Sequence, residues 1–251
     1  MSLSAKLLLS PLLVAQALSA RARTPRLPEA AGAREGEVGR GPRLRLMMLG
    51  DSSAAGVGVA EQSQALSGYL TKALARQAGV RVQWRLLAQS GLTSAQCLDH
   101  LASSAPFDAD VAVVVLGVND VVDQVPSHSA VAARESIANR LRNGHGVAHV
   151  VFAPLPPVQY FPALPQPLRW VAGQDAKRHD DAVAAWARTR SDVSHVPIDL
   201  PLNASLMADD GFHPGEPVYR ICGTALAEHI ATQVWPALLA LNQGLRCRAT
   251  A

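Results

Sequence analysis

The sequence predicts an α/β fold: a three-layer α/β/α sandwich with helices on both faces of a five-stranded, doubly wound parallel sheet. Three observations carry this. From Arg43 onward, short apolar runs alternate with longer helical stretches, the pattern of strand–helix–strand units joined by right-handed crossovers. Val111–Leu116 is nearly all valine, which suits a central strand buried on both faces. The chain has 251 residues, enough for one sizeable core and short for two.

Arg43–Leu49 reads as the first strand and stops at Gly50. Gln64–Ala78 reads as a helix, with Tyr69, Leu70, Ala73 and Leu74 on one face. Val80–Ala88 is the second strand, broken off by Gly91, and Thr93–Ala102 is a short helix. The valine run is the third strand and ends in Gly117; Val131–Leu141 is helical. Val147–Phe152 is the fourth strand, stopped by Pro154. Trp170–Thr189 is a long Ala-rich helix and Val193–Ile198 a short fifth strand. Glu216–Leu239 is the final helix, with Pro217 in the first turn, where a missing N–H costs nothing.

Residues 1–42 read as an arm and connector, and residues 43–251 as a single domain. Lys6 and the run LLLSPLLVAQALSA form a short signal-peptide pattern with a cleavage point near Ala20. The other reading is an uncleaved apolar helix on the protein or on a membrane surface. Arg21, Arg23 and Arg26 follow directly, and positive charge there resists translocation. That favours a retained arm, with a cytoplasmic or peripherally membrane-associated protein, over export. Thr24–Pro42, rich in Pro, Gly and Ala, reads as the connector. Residues 1–42 are expected to be dispensable for catalysis and to set where the protein sits.

Composition excludes several classes. Lys6 and seven arginines against Glu29, Glu35 and Glu37 put the first 45 residues at +5; the whole chain is +3, so the remainder is at −2. A slightly acidic body with 4% aromatics supplies neither the charge nor the stacking surface for a nucleic-acid partner. No apolar run reaches the roughly 20 residues that span a bilayer. Cys97, Cys222 and Cys247 have no paired spacing, which argues against a disulfide scaffold or a cysteine zinc site.

Ligands of such sheets bind at the carboxyl ends of the strands. The first strand runs into Gly50-Asp51-Ser52-Ser53. A serine there can present its hydroxyl, while its own N–H faces a developing oxyanion; it can equally be an ordinary helix cap. The Gly-rich stretch after it has no Lys-Ser/Thr pair, so it is not a phosphate-binding loop. The second strand ends in Ser90-Gly91, where glycine lets backbone approach a ligand, or simply turns. The third ends in Gly117-Val118-Asn119-Asp120, with Asn119 a neutral donor or part of a common turn. Asp210-Gly211-Phe212-His213 precedes the last helix. Its carboxylate can fix the imidazole tautomer and leave the other nitrogen as a base. A metal site at His213 lacks a third ligand at suitable spacing.

These four segments, in this order, resemble the blocks of the SGNH (GDSL-type) hydrolase family over roughly residues 43–240. The resemblance implies a flavodoxin-like sheet and an esterase that needs no metal or cofactor. It implies Ser52 as nucleophile, Asp210 and His213 as its partners, and an oxyanion hole from Ser52, Gly91 and Asn119. Ser53 stands where the family often has Leu, and Gln89-Ser90 where it often has an Asn upstream of the glycine. Asp51 and Asp120 are expected to brace their loops. The substrate is expected to be a small-molecule carboxylic ester of the lipase, lysophospholipase or thioesterase kind. An O-acetyl carbohydrate ester is the alternative, and a non-catalytic binding module on the same fold a further one. Ala153–Trp170, with six prolines, Tyr160, Phe161 and Trp170, is either a wall or lid over an acyl pocket or a stiff surface loop.

Overall fold

The computed structural model describes residues 3–200 and 202–241, with backbone alone for 3–8. Cys247 and the first two residues of the arm lie outside them. The five expected strands pair in parallel: Arg43–Gly50 (β2), Arg81–Ala88 (β3), Val111–Val115 (β4), His149–Phe152 (β5) and Val193–His195 (β6). A sixth, Glu35–Gly39 (β1), lies antiparallel to β3 at the edge, giving the order β1-β3-β2-β4-β5-β6.

β1 corrects the reading of residues 24–42 as a mere connector and of the sheet as five-stranded. Its sequence, EGEVG, has no apolar alternation for periodicity to detect. Backbone pairing holds it, with Arg85–Glu35 at 2.9 Å and Arg81–Glu37 at 3.7 Å across the ladder. Exposed charges on an edge strand also discourage pairing with another chain.

Alternate residues of β2 face opposite layers, as the strand period requires. Leu44, Leu46 and Met48 pack beneath Leu66–Ala78 (α3) and Glu216–His229 (α8). Those two helices touch so closely that a Cβ on Gly223 would sit 2.7 Å from Tyr69 Cβ. Met47 and Leu49 face Ser94–Ala102 (α4), Ser127–His145 (α6) and Leu168–Ala187 (α7). The result is the expected three-layer α/β/α sandwich. A third cluster, including Val121, Leu155, Phe161 and Met207, roofs the carboxyl ends of the strands.

Leu3–Arg23 (α1) is helical through Pro11. It docks near the start of α7, where Gln16 donates to Gln166 O at 2.7 Å and accepts from Leu168 N–H at 3.1 Å. Leu12, Val14 and Leu18 face outward.

Candidate active site

β2 ends at Gly50, whose Cβ position is closed by Val115 O at 2.3 Å, so only glycine lets the chain turn here. Ser52–Ala55 (α2) follows, a single turn capped by Asp51, which accepts the Ser53 N–H at 3.0 Å. Ala54 and Ala55 are buried and lock the turn. Ser52 thus opens a helix with its hydroxyl toward the strand ends.

From the other end of the chain, Asp210 and His213 come over α2. His213 Nε2 lies 3.0 Å from Ser52 Oγ, and Nδ1 lies 2.5 Å from Asp210 Oδ2. Asp210 Oδ1 also accepts the backbone N–H groups of Phe212 and His213, each at 2.9 Å. Burial pushes the Asp210 carboxyl up, but the bonds from the His213 ring and these two amides outweigh it and hold it below the usual carboxylate value. An ionised carboxylate only accepts, so Nδ1 carries the proton and the lone pair of Nε2 faces the serine.

Val118–Val122 (α5) carries Asn119. Its Nδ2 donates to Leu92 O at 3.0 Å and, more weakly, to Asp51 Oδ2 at 3.3 Å. Asp51 is fully buried, and burial lifts its carboxyl to about 6, against the pull of the Ser53 N–H and His213. Both acids expected to brace their loops do hold backbone: Asp51 holds the turn at Ser52 and Asp120 holds the start of α4, through Ser94.

A cleft of ≈ 410 Å³, counting its open mouth, is lined by Ser52, Asn119 and His213 together with Val118, Pro156, Phe161, Leu202, Met207, Phe212 and Val218. The proline-rich segment after β5 divides: Pro156 and Phe161 wall the cleft, while Tyr160 and Trp170 face solvent. Gly91 sits outside this lining, on an exposed turn after β3 at φ +87°. The turn is tethered from the N-terminal segment, since Glu29 accepts the Ser90 N–H at 2.6 Å. Of the residues expected at the site, Ser52, Asp210 and His213 are in one hydrogen-bonded chain, Asn119 borders it, and Gly91 flanks it.

Sequence reasoning missed Arg134, which is 1% exposed and bound to Asp120 and Leu116 O behind Asn119. The available signal is its place with Ile137, Ala138 and Leu141 on the buried face of α6, where a lone arginine needs a partner.

A model of the GDSL-like lipase/acylhydrolase family matches residues 48–221. A GDSL-like esterase of Mycobacterium tuberculosis is 28% identical over 236 residues, 86% of this chain and 74% of that protein. A lipase from a goat rumen metagenome has a similar crystal structure, with TM-score 0.57 and 16% identity over 75% of this chain and 97% of that one. A lipase/acylhydrolase from Enterococcus faecalis gives TM-score 0.54 and 19% identity, over 75% and 95%. At these identities the two structures bear on the fold alone.

Proposed function

The chain belongs to the GDSL-like lipase/acylhydrolase family and is a carboxylic ester hydrolase; on that premise we propose a serine mechanism for it. Ser52 Oγ attacks the ester carbonyl as its proton passes to His213 Nε2. Asp210 keeps the imidazole in register and stabilises the imidazolium. The tetrahedral oxyanion is met by the N–H groups of Ser52 and Gly91 and by the Asn119 amide. Asn119 keeps its bond to Leu92 O and gives up the longer one to Asp51. His213 then protonates the departing alcohol, leaving an acyl ester on Ser52. Water, deprotonated by His213, cleaves that ester and releases the acid.

The observation that carries this reading is the Asp210–His213–Ser52 chain, with separations of 2.5 and 3.0 Å. Among the described residues lining the cleft, none but His213 bears an ionisable charge, and eight are Val, Pro, Phe, Leu or Met on the walls around Asn119 and Ser52. Apolar walls favour the acyl chain of a lipase-, lysophospholipase- or thioesterase-type substrate over a sugar ester, whose hydroxyls would want polar partners. We extend the proposal to α1. Its outward Leu12, Val14 and Leu18, with exposed Arg21, Arg23 and Arg26 at its end, suit peripheral contact with an anionic lipid surface.

The test is labelling. A fluorophosphonate should add once per chain, at Ser52, and Ser52→Ala should abolish both labelling and hydrolysis of p-nitrophenyl butyrate while leaving the thermal unfolding profile intact. Labelling at Ser53, or full activity in the mutant, would remove Ser52 from the mechanism.

A further inference from the structure

Gly91 and Asn119 come from different elements, yet both must face one oxygen. The turn at Gly91 leads into α4, and Asn119 lies on α5. One buried carboxylate joins the two. Asp120 Oδ1 accepts the Ser94 N–H at 2.9 Å, and Oδ2 accepts the Ser94 hydroxyl at 2.6 Å. Arg134 reaches in from α6 and donates through Nη2 to Asp120 Oδ2 at 3.2 Å and to Leu116 O at 3.1 Å. Ser94, Asp120 and Arg134 are 0%, 1% and 1% exposed.

Resting on the serine mechanism above, we infer that Asp120 and Arg134 are positioning residues, which through Ser94 set the Gly91 turn against the Asn119 amide and so shape the oxyanion hole. The lever arms are short. Ser94 is three residues beyond Gly91, and Asp120 adjoins Asn119. Between them, Leu92 O takes the Asn119 amide proton. The Ser94–Asp120 and Leu92–Asn119 bonds therefore close a small frame across the two loops. Arg134 ties that frame to the end of β4 through Leu116 O.

The backbone is built around this guanidinium. Gly117 has φ +137°, and a Cβ there would lie 2.6 Å from Arg134 Nη2 and 2.7 Å from Leu155 Cδ1. A buried ion pair is a poor source of stability, because desolvation offsets much of its attraction. This one also leaves Arg134 Nη1 without a hydrogen-bond partner among the described residues. Its hold on two loops at once is the better account of its presence.

Kinetics separate a positioning role from a merely structural one. Asp120→Asn, Arg134→Lys and Ser94→Ala would be assayed on p-nitrophenyl butyrate, each alone and combined with Asn119→Ala. Asp120→Asn should lower kcat about 10- to 100-fold with KM little changed, since oxyanion alignment matters chiefly in the transition state. Arg134→Lys, which keeps the charge, should retain more activity than Arg134→Met. In the Asn119→Ala background, the Asp120 and Ser94 changes should lose most of their effect, because the donor they align is already gone. Should Asp120→Asn fail to fold, Ser94→Ala carries the test, as it deletes one hydroxyl and leaves the ion pair. Fully additive losses in kcat, a raised KM with kcat unchanged, or wild-type kcat in the folded variants would overturn the positioning role. Full activity in Ser52→Ala would instead overturn the serine mechanism on which it rests.

Discussion

Asn119 shows what a single side chain is asked to do here. Its amide is already anchored to Leu92 O, so in the proposed oxyanion role it needs no reorganisation of the loop to meet a developing charge. Asn119→Ala should therefore lower kcat about 100- to 1,000-fold with little change in KM; steady-state kinetics on a short p-nitrophenyl ester measure both. A raised KM with unchanged kcat would make Asn119 a substrate-binding residue instead. Ser52, Asn119, Asp210 and His213 were legible in the sequence because each follows a strand end or precedes the last helix, where side chains face the site. Arg134 was not, because its partners Asp120 and Leu116 come from a different stretch of chain and nothing local announces them. The apolar lining was only half legible: Phe161 and Pro156 lie in a segment whose aromatics could equally have been surface residues.

Among the elements, α1 and β1 lie close in sequence and differ in their bearing on the site. α1 touches the body through Gln16 and presents Leu12, Val14 and Leu18 outward. Just beyond it, Glu29 holds the Ser90 N–H, Arg34 Nη1 donates to Ala88 O at 2.6 Å, and β1 pairs along β3. Removing residues 1–26 should leave hydrolysis of a soluble short ester intact and abolish co-sedimentation with vesicles rich in phosphatidylglycerol. Removing residues 1–42 should lower kcat as well, against the expectation from sequence that this whole arm is dispensable for catalysis, because the turn bearing Gly91 loses its tether through Glu29 and Arg34. Equal activity in both truncations would show that this tether does not matter. Vesicle binding that survives the shorter cut would place the lipid contact elsewhere. The long elements were readable from periodicity, as for α3, read as Gln64–Ala78 and found as Leu66–Ala78. β1 was not, because a strand of Glu and Gly held by backbone bonds leaves no side-chain pattern.

At the scale of the whole molecule, the valine run and the strand–helix alternation were enough to read the three layers, because parallel strands must be apolar on both faces. What the pattern could not convey is how distant polar side chains meet between the layers. His149 and His229 share Ser194 Oγ, at 3.1 and 2.8 Å, joining β5, β6 and α8. Burial holds both imidazoles below their ordinary value, and for His149 the neighbouring His229 adds to this. Above about pH 6.5 they are neutral in both folded and unfolded chains, and their contribution is intact. As the pH falls below that, the unfolded chain takes up protons that the folded one resists, so stability declines. Asp51, lifted to about 6, works in the opposite sense and is relieved by protonation as the pH drops below that value. His149→Gln should therefore flatten the fall in Tm between about pH 7 and 5.5 relative to the parent; scanning calorimetry reads this directly, and identical slopes would discount the histidine pair. The pairing of Ser52 with His213 has a consequence for synthesis. The two residues are 161 positions apart, so on the ribosome the proposed nucleophile is made well before its proposed base. In the proposed mechanism Ser52 stays an ordinary alcohol until the segment bearing His213 has emerged and folded back over it, and a nascent chain cut short of that segment is chemically silent toward the esters around it.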